Sequence, residues 1–124
     1  MKLHALAALG LLAALTPSSV VVAQQARQDF VLANATGYDV SHVFVSPTKS
    51  DDWEEDVLGK DVLEDGEAWE IRFSRAAKTC KWDLKVVYAD DDSAAYWRGI
   101  DLCKVAKITI HYDRKSDKTS AEFE

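Results

Sequence analysis

Two runs of acidic residues are the first candidates for chemistry in this chain. Asp51 and Asp52 belong to the first run, and Asp90 and Asp92 belong to the second. Calcium takes roughly six to eight oxygen ligands, which loop carboxylates can supply. Neither run has the spacing of a helix-loop-helix calcium loop. Two interpretations stay open: both runs are solvated turns, or Asp90 and Asp92 bind calcium together with Asp51 or Asp52, provided that the two loops meet at one end of the fold.

His42 and His111 are the next candidates, as metal ligands or acid-base groups. Each alternates away from the apolar side of its segment, which favours an ordinary exposed histidine. The chain has neither an H-x-x-x-H pair nor a G-x-S-x-G nucleophile elbow. A domain of this size also offers little cleft for a substrate. We therefore predict that the protein is not an enzyme, and a small hydrolase is the least favoured alternative.

Tryptophan is abundant for so short a chain, with four residues that one small core does not strictly need. Trp69 and Trp82 lie in alternating apolar patterns, which favours core packing. The other two have different neighbours, since Trp53 falls in a polar loop and Trp97 is flanked by a tyrosine and an arginine. Trp, Tyr and Arg are the residue types that anchor interfaces. With core packing as the alternative for each tryptophan, we predict a binding surface that contains Trp53, Tyr96, Trp97 and Arg98.

The start of the chain has the pattern of a signal peptide. Lys2 precedes an apolar run from Leu3 to Leu15, and small residues around Ala23 suit cleavage after that position. The run is shorter than the ~20 residues needed to span a bilayer. We therefore predict a signal peptide at 1–23, a mature chain with no integral membrane span, and a periplasmic or secreted location.

The mature chain is acidic. Removing 1–23 takes away one basic residue and no acidic one, so the formal charge changes from −6 to −7. Proteins that bind nucleic acids neutralise phosphates with lysine and arginine. Nucleic acid is therefore not an expected partner, and we expect no cofactor apart from the possible calcium ion.

The two cysteines, Cys80 and Cys103, follow the predicted cleavage site. Export carries them into a compartment where disulfides persist. We predict that they pair, which closes a loop of 24 residues counting both cysteines. In the chain-entropy model such a bridge contributes roughly 3.5 kcal/mol.

Alternating apolar and polar residues predict about seven strands in the remaining chain. Proline and acidic turn residues separate them, and one short helix is predicted at 52–58, capped by Ser50 or Asp51 and ended by Gly59. With little helix and no long crossovers, we predict a single all-β domain at 24–124, a small antiparallel β-sandwich. The strands are expected at 29–33, 38–46, 68–74, 81–89, 94–103, 106–112 and 119–123.

The hairpin at 81–103 carries a register prediction. With a loop at 90–93, Cys80 lies opposite Cys103, as a bridge requires. The same register places Lys85 opposite Arg98, and we predict that a bulge near Gly99 relieves this clash.

Five motifs resemble those of a family of small exported bacterial proteins, most of them uncharacterised. They are Asn34-x-Thr36-Gly37, Val45-Ser46-Pro47, Trp53-x-x-Asp56-x-Leu58-Gly59, Cys80-x-Trp82-Asp83-Leu84 and Arg98-Gly99-x-Asp101-Leu102-Cys103. Glu54 departs from the small residue expected after the tryptophan. The resemblance implies one exported domain with a bridge from Cys80 to Cys103, and it implies no activity.

These observations favour an exported, non-enzymatic binding protein of the bacterial envelope. Its partner is expected to be another protein or an envelope component. A calcium-binding envelope domain that uses the acidic loops is the alternative.

Overall fold

Seven strands form in the part of the chain that the computed structural model describes, residues 26–73 and 77–124. Their bounds follow the alternating segments of the sequence. They are β1 (Phe30–Asn34), β2 (Val40–Pro47), β3 (Ala68–Ile71), β4 (Lys81–Tyr88), β5 (Ala94–Asp101), β6 (Lys107–Asp113) and β7 (Lys118–Phe123). The third strand ends at Ile71, so the expected strand at 68–74 is too long, since Arg72 and Phe73 lie outside it. The predicted signal peptide and Ser74 lie outside the described residues.

Two sheets contain all seven strands. One has the strand order β3-β1-β6-β7 and the other has the order β2-β4-β5. All neighbours are antiparallel except β1 and β6, which run parallel. The inner faces of both sheets supply one apolar core, in which Leu32, Val43, Leu84, Val86 and Ile108 are almost fully buried. The predicted all-β sandwich is therefore confirmed.

The predicted helix at 52–58 is wrong, because bends and turns occupy this segment. The Asp56 carboxylate accepts hydrogen bonds from the backbone N–H groups of Val43 (2.9 Å) and Leu58 (3.0 Å). The N–H of Val57 donates to the Val43 carbonyl at 2.8 Å. The segment is thus bonded to the edge of β2, and these contacts outweigh the weak helical preference of seven residues.

A β-bulge interrupts the hairpin of β4 and β5. Trp82 pairs with Ile100 and Leu84 with Trp97, so Asp83 lies opposite both Arg98 and Gly99. Gly99 has a φ of +68°, a conformation that favours glycine. The bulge predicted near Gly99 is therefore confirmed. The clash of Lys85 with Arg98 is avoided, because Lys85 lies opposite Tyr96. The register expected from a loop at 90–93 is two residues off on this side of the bulge, since Val87 lies opposite Ala94.

The bridge between Cys80 and Cys103 closes the open end of this hairpin. The two Cα atoms are 5.2 Å apart, within the range that a disulfide spans. The Leu102 N–H donates to the Cys80 carbonyl at 2.8 Å, so the strand pairing continues beyond the bulge with Cys80 opposite Leu102, and the predicted position of Cys80 opposite Cys103 is one residue off. The predicted disulfide is confirmed.

Three tyrosines, Tyr38, Tyr88 and Tyr112, pack against one another at the opposite end of the sandwich, with ring centroids 5.7 to 6.2 Å apart. The Tyr88 hydroxyl is buried and has no hydrogen-bond partner among the described residues. Burial, the nearby Tyr112 and the Asp91 carboxylate raise the pKa of Tyr88 to about 12. The folded protein therefore holds this phenol in its neutral form.

We expect the stability of the protein to fall above pH 10, because of Tyr88. A tyrosine whose pKa is higher in the folded than in the unfolded state stabilises the fold fully below pH ~10, and this contribution is lost as the pH rises to ~12. The loss should be roughly 2 kcal/mol. Tyr88→Phe removes a buried hydroxyl without a partner, so at neutral pH it should be neutral or stabilising by about 1 kcal/mol.

Urea unfolding of both proteins at neutral and alkaline pH measures these effects. The variant should retain more of its neutral-pH stability at high pH than the wild type. A variant that is destabilised by more than about 1 kcal/mol at neutral pH would show that the hydroxyl makes a hydrogen bond, for example to water.

Candidate functional site

An aromatic and cationic patch covers the outer face of the β2-β4-β5 sheet. Phe44 from β2, Lys85 from β4 and Tyr96 from β5 lie side by side, because their register makes Lys85 the direct neighbour of both aromatic residues. Trp53 lies over this row from the loop after β2, and its ring centroid is 6.1 Å from that of Tyr96. Arg98 completes the outer-face patch, which is defined here as Phe44, Trp53, Lys85, Tyr96 and Arg98.

Two cations contact the aromatic rings of the outer-face patch. The Lys85 ammonium nitrogen is 5.3 Å from the ring centroid of Phe44, 5.7 Å from that of Tyr96 and 6.0 Å from that of Trp53. The Arg98 guanidinium carbon is 5.2 Å from Tyr96 and 5.9 Å from Trp53. Cation–π contacts of this kind hold the long side chains in defined positions. The patch therefore presents positive charge on an ordered apolar surface.

A buried carboxylate fixes the position of Arg98. Asp83 is only 5% exposed. Its two oxygens accept hydrogen bonds from the Arg98 guanidinium (3.1 Å), the Gly99 N–H (2.8 Å) and the Thr48 hydroxyl (2.9 Å). The bulge makes this possible, because it places both Arg98 and Gly99 opposite Asp83. Asp83 is therefore satisfied inside the protein and orients the arginine.

A polar cavity of about 250 Å³ adjoins the outer-face patch. The loop after β2 forms one wall with Ser50, Asp51 and Asp52, and Asp83 and Arg98 form the other. The Ser46 hydroxyl and the Ser50 hydroxyl both donate to the Asp52 carbonyl, at 2.8 and 3.1 Å, which fixes the loop. The cavity gives a partner polar groups next to the aromatic surface.

The structure brings together three of the four predicted binding residues. Trp53, Tyr96 and Arg98 share the outer-face patch, but Trp97 lies on the other face of β5. Its neighbour across the hairpin is the buried Leu84, and its ring packs against the core. Side chains alternate between the two faces of a strand, so three consecutive residues cannot share one surface. Trp97 is therefore a core residue at the sheet edge, and Trp69 and Trp82 also pack in the core.

Phe44 and Lys85 belong to the outer-face patch, although neither was predicted to be a binding residue. A signal was present for Phe44, because it alternates with the apolar Val43 and Val45 and so had to face outward. Lys85 had no comparable signal. Its position between two aromatic rings depends on the register of three strands, which the residue types alone do not give.

The four aspartates of the predicted calcium site do not meet. Asp51 and Asp52 lie near the start of β4, where Pro47 pairs with Trp82, whereas Asp90 and Asp92 lie in the turn after Tyr88. About six residues of strand, or roughly 20 Å, separate these positions. In the second turn the Ser93 hydroxyl and N–H both donate to Asp91 and lower the pKa of its carboxyl. The two loops do not meet at one end of the sandwich, so the condition set for a joint site is not fulfilled.

We expect calcium to leave the thermal stability unchanged. The only group of three or more closely spaced acidic, histidine or cysteine ligand atoms in the described residues is that of Cys80, Asp101 and Cys103, in which the cysteines form the disulfide. Melting temperatures in millimolar calcium and in chelator should agree within about a degree. A rise of about ten degrees, as expected for a ligand at a hundred times its dissociation constant, would show a site in one of the loops.

The two predicted histidines lie on the surface, each beside a carboxylate. His42 Nδ1 is 2.7 Å from an Asp56 oxygen, and His111 Nε2 is 2.8 Å from a Glu122 oxygen. In the described part of the chain, neither ring forms a hydrogen bond with a hydroxyl or a thiol. The first pair links β2 to the segment that covers its edge, and the second links β6 to β7.

Comparison of the chain with models of known families, with curated proteins and with solved structures gives no match. The resemblance to small exported bacterial proteins therefore stays a prediction. The outer-face patch is therefore the feature of this protein that indicates a function.

Proposed function

We propose that this protein is an exported, non-enzymatic binding protein that holds another macromolecule of the cell envelope on its outer-face patch. The observation that carries the proposal is the convergence of Trp53, Tyr96 and Arg98 on one exposed surface. Tyr96 is 44% exposed although it packs against two cations. Residues of these three types dominate the binding energy of protein interfaces.

The order of the patch supports this function. Binding costs conformational entropy when long side chains must be immobilised. Here Lys85 packs among three rings and Arg98 is paired with Asp83, so these side chains lose less conformational entropy when a partner binds. A surface that is already rigid and partly apolar is well suited to recognise a partner.

The disulfide fits an oxidising extracellular or periplasmic compartment. None of the described residues form a helix with the length and hydropathy needed to cross a membrane. Together with the predicted signal peptide, these features support a periplasmic or secreted location, where a partner of the envelope would be met.

Capture experiments with matched variants test the proposal. The mature chain is immobilised, and proteins bound from an envelope extract are identified for the wild type, Tyr96→Ala, Arg98→Ala and Phe123→Ala. Phe123 is a suitable control because it is also an exposed aromatic residue, 48% exposed, but lies on β7 of the other sheet.

We expect a partner that binds the wild type and Phe123→Ala but is lost with Tyr96→Ala and Arg98→Ala. Tyr96→Ala and Phe123→Ala should melt close to the wild type, since these side chains are exposed, whereas Arg98→Ala should melt at a lower temperature because the buried Asp83 loses its ion-pair partner. A partner that is retained by both patch variants and lost with Phe123→Ala would overturn the proposal.

A further inference from the structure

The edge strand β5 differs from the other outer strand of its sheet. The edge of β2 is covered, because Val57 donates to the Val43 carbonyl and Leu63 forms a two-bond bridge with Val40. No strand in the described part of the chain pairs with the outer edge of β5. An uncovered edge strand is a template for another extended chain.

The hydrogen-bond pattern shows which backbone groups of β5 face outward. The Tyr88 N–H donates to the Ser93 carbonyl, so these two residues form a hydrogen-bonded pair. In antiparallel pairs such residues alternate with residues whose N–H and C=O groups point away from the neighbouring strand. The N–H and C=O groups of Ala95 and Trp97 therefore point to β4, whereas those of Ala94 and Tyr96 point to the uncovered edge.

The side chains next to this edge have opposite characters on the two faces. On the outer face, Arg98 of β5 carries positive charge, and Lys85 adds a second cation one strand further in, on β4 behind Tyr96, in a protein whose formal charge is −6. Among the described residues Lys85 has no carboxylate partner, and the one partner of Arg98 is Asp83. On the inner face, Trp97 is only partly buried at the margin of the core. A chain paired with β5 would meet cations on one face and an apolar ring on the other.

We propose that β5 binds an extended acidic segment of a partner protein as an added strand. Its acidic side chains would lie on the outer face beside Tyr96 and Arg98, with Lys85 one strand further in, and the alternate residues, which are apolar, would pack against Trp97. Residues on one face of a strand are about 6.8 Å apart, so the segment should read acidic and apolar in alternation. This inference rests on the proposed function, because it specifies the partner of the same surface.

Two synthetic peptides test the charge and the pairing. One is a capped eight-residue peptide in which glutamate alternates with valine, and the other has lysine in place of glutamate. Binding to the oxidised mature chain is followed by amide chemical shifts at low salt. The acidic peptide should bind at least about tenfold more tightly than the basic one, with the largest shifts at Ala94 and Tyr96, and its affinity should fall as salt is added.

A proline at the uncovered edge tests the strand pairing of the peptide most directly. Ala94→Pro removes an outward-facing N–H, and proline is tolerated at sheet edges, so the variant should fold. Thr119→Pro is the matched control, since the pairing of Lys107 with Glu124 makes Thr119 face outward on β7, also next to a turn. Ala94→Pro should weaken binding of the acidic peptide by about tenfold or more, and Thr119→Pro should leave it unchanged.

The variants distinguish a failure of the added-strand inference from a failure of the proposed function. If Tyr96→Ala abolishes partner capture but Ala94→Pro alters neither capture nor peptide binding, the patch binds without an added strand and this inference is overturned alone. If neither substitution affects capture, the proposed function fails as well. A dimer in sedimentation that Ala94→Pro dissociates would also overturn the inference, because the occupant would be a second copy of the chain.

Discussion

Replacement of both Cys80 and Cys103 by alanine should lower the free energy of unfolding by roughly 3.5 kcal/mol. The bridge closes a long loop, as the two cysteines are 23 positions apart, and its absence enlarges the unfolded ensemble. For a domain of this size the melting temperature should fall by roughly 15 to 25 degrees. The double substitution avoids leaving one reactive thiol.

Urea unfolding at matched pH measures this loss, and a reductant supplies the control. Reduction should destabilise the wild type by a similar amount and leave the double variant unchanged. A loss below about 1 kcal/mol would mean that the bridge does little to restrict the unfolded chain.

Asn34→Ala should be the most destabilising of the single substitutions considered for this protein, with a loss of about 4 kcal/mol. The side chain is 1% exposed. Its amide nitrogen donates to the carbonyls of Tyr38 (2.8 Å) and Leu63 (3.0 Å), and its oxygen accepts bonds from the N–H (3.1 Å) and hydroxyl (2.7 Å) of Thr36. Alanine removes all four bonds and leaves the Thr36 N–H without a partner among the described residues, while the Tyr38 carbonyl keeps the Thr36 hydroxyl (3.0 Å) and the Leu63 carbonyl keeps the Val40 N–H (2.9 Å).

Asn34→Asp distinguishes the bonds that the Asn34 amide nitrogen donates from the bonds that its oxygen accepts. The carboxylate can still accept bonds from Thr36, but it cannot donate to the two carbonyls and would be a charge in a buried site. Both variants should therefore unfold at a much lower urea concentration than the wild type. Equal stability of wild type and Asn34→Asp would contradict the donor role of Asn34.

The same network explains the Asn34-x-Thr36-Gly37 motif of the sequence. In sequence terms these residues indicated only a turn after the first strand. In the structure Asn34 joins this turn to Leu63, which is 29 positions later in the chain. No local pattern contains a bond of that separation, so the importance of the motif could not be inferred from its residue types.

The strands and the disulfide were predictable because their signals are strong and local. Alternation in segments such as 81–88 places Trp82, Leu84 and Val86 on one face, whatever the neighbouring strand is. The segment 52–58 was assigned incorrectly for the opposite reason. Its conformation depends on the bonds of Asp56 and Val57 to β2, a long-range contact that outweighs local propensity.

The candidate site was only partly predictable. Residue types identified Trp53, Tyr96 and Arg98, but the turn and the bulge of the hairpin decide which side chains become neighbours. Pairing starts at Val87 and Ala94, two residues from the expected register, which places Lys85 opposite Tyr96, and the bulge beyond Leu84 positions Arg98 on Asp83. Register at a bulge depends on the packing of both strands, so the lysine at the centre of the patch became evident only in the structure.

Crosslinking within the intact cell envelope tests most directly whether the outer-face patch is the binding surface. A photoreactive amino acid is introduced at Tyr96 in one exported protein and at Phe123 in another, and both are irradiated before lysis. The proposed function predicts a discrete crosslinked partner from position 96 and none from position 123. Crosslinks at position 123 alone, or none at position 96 in a correctly folded, oxidised protein, would contradict it.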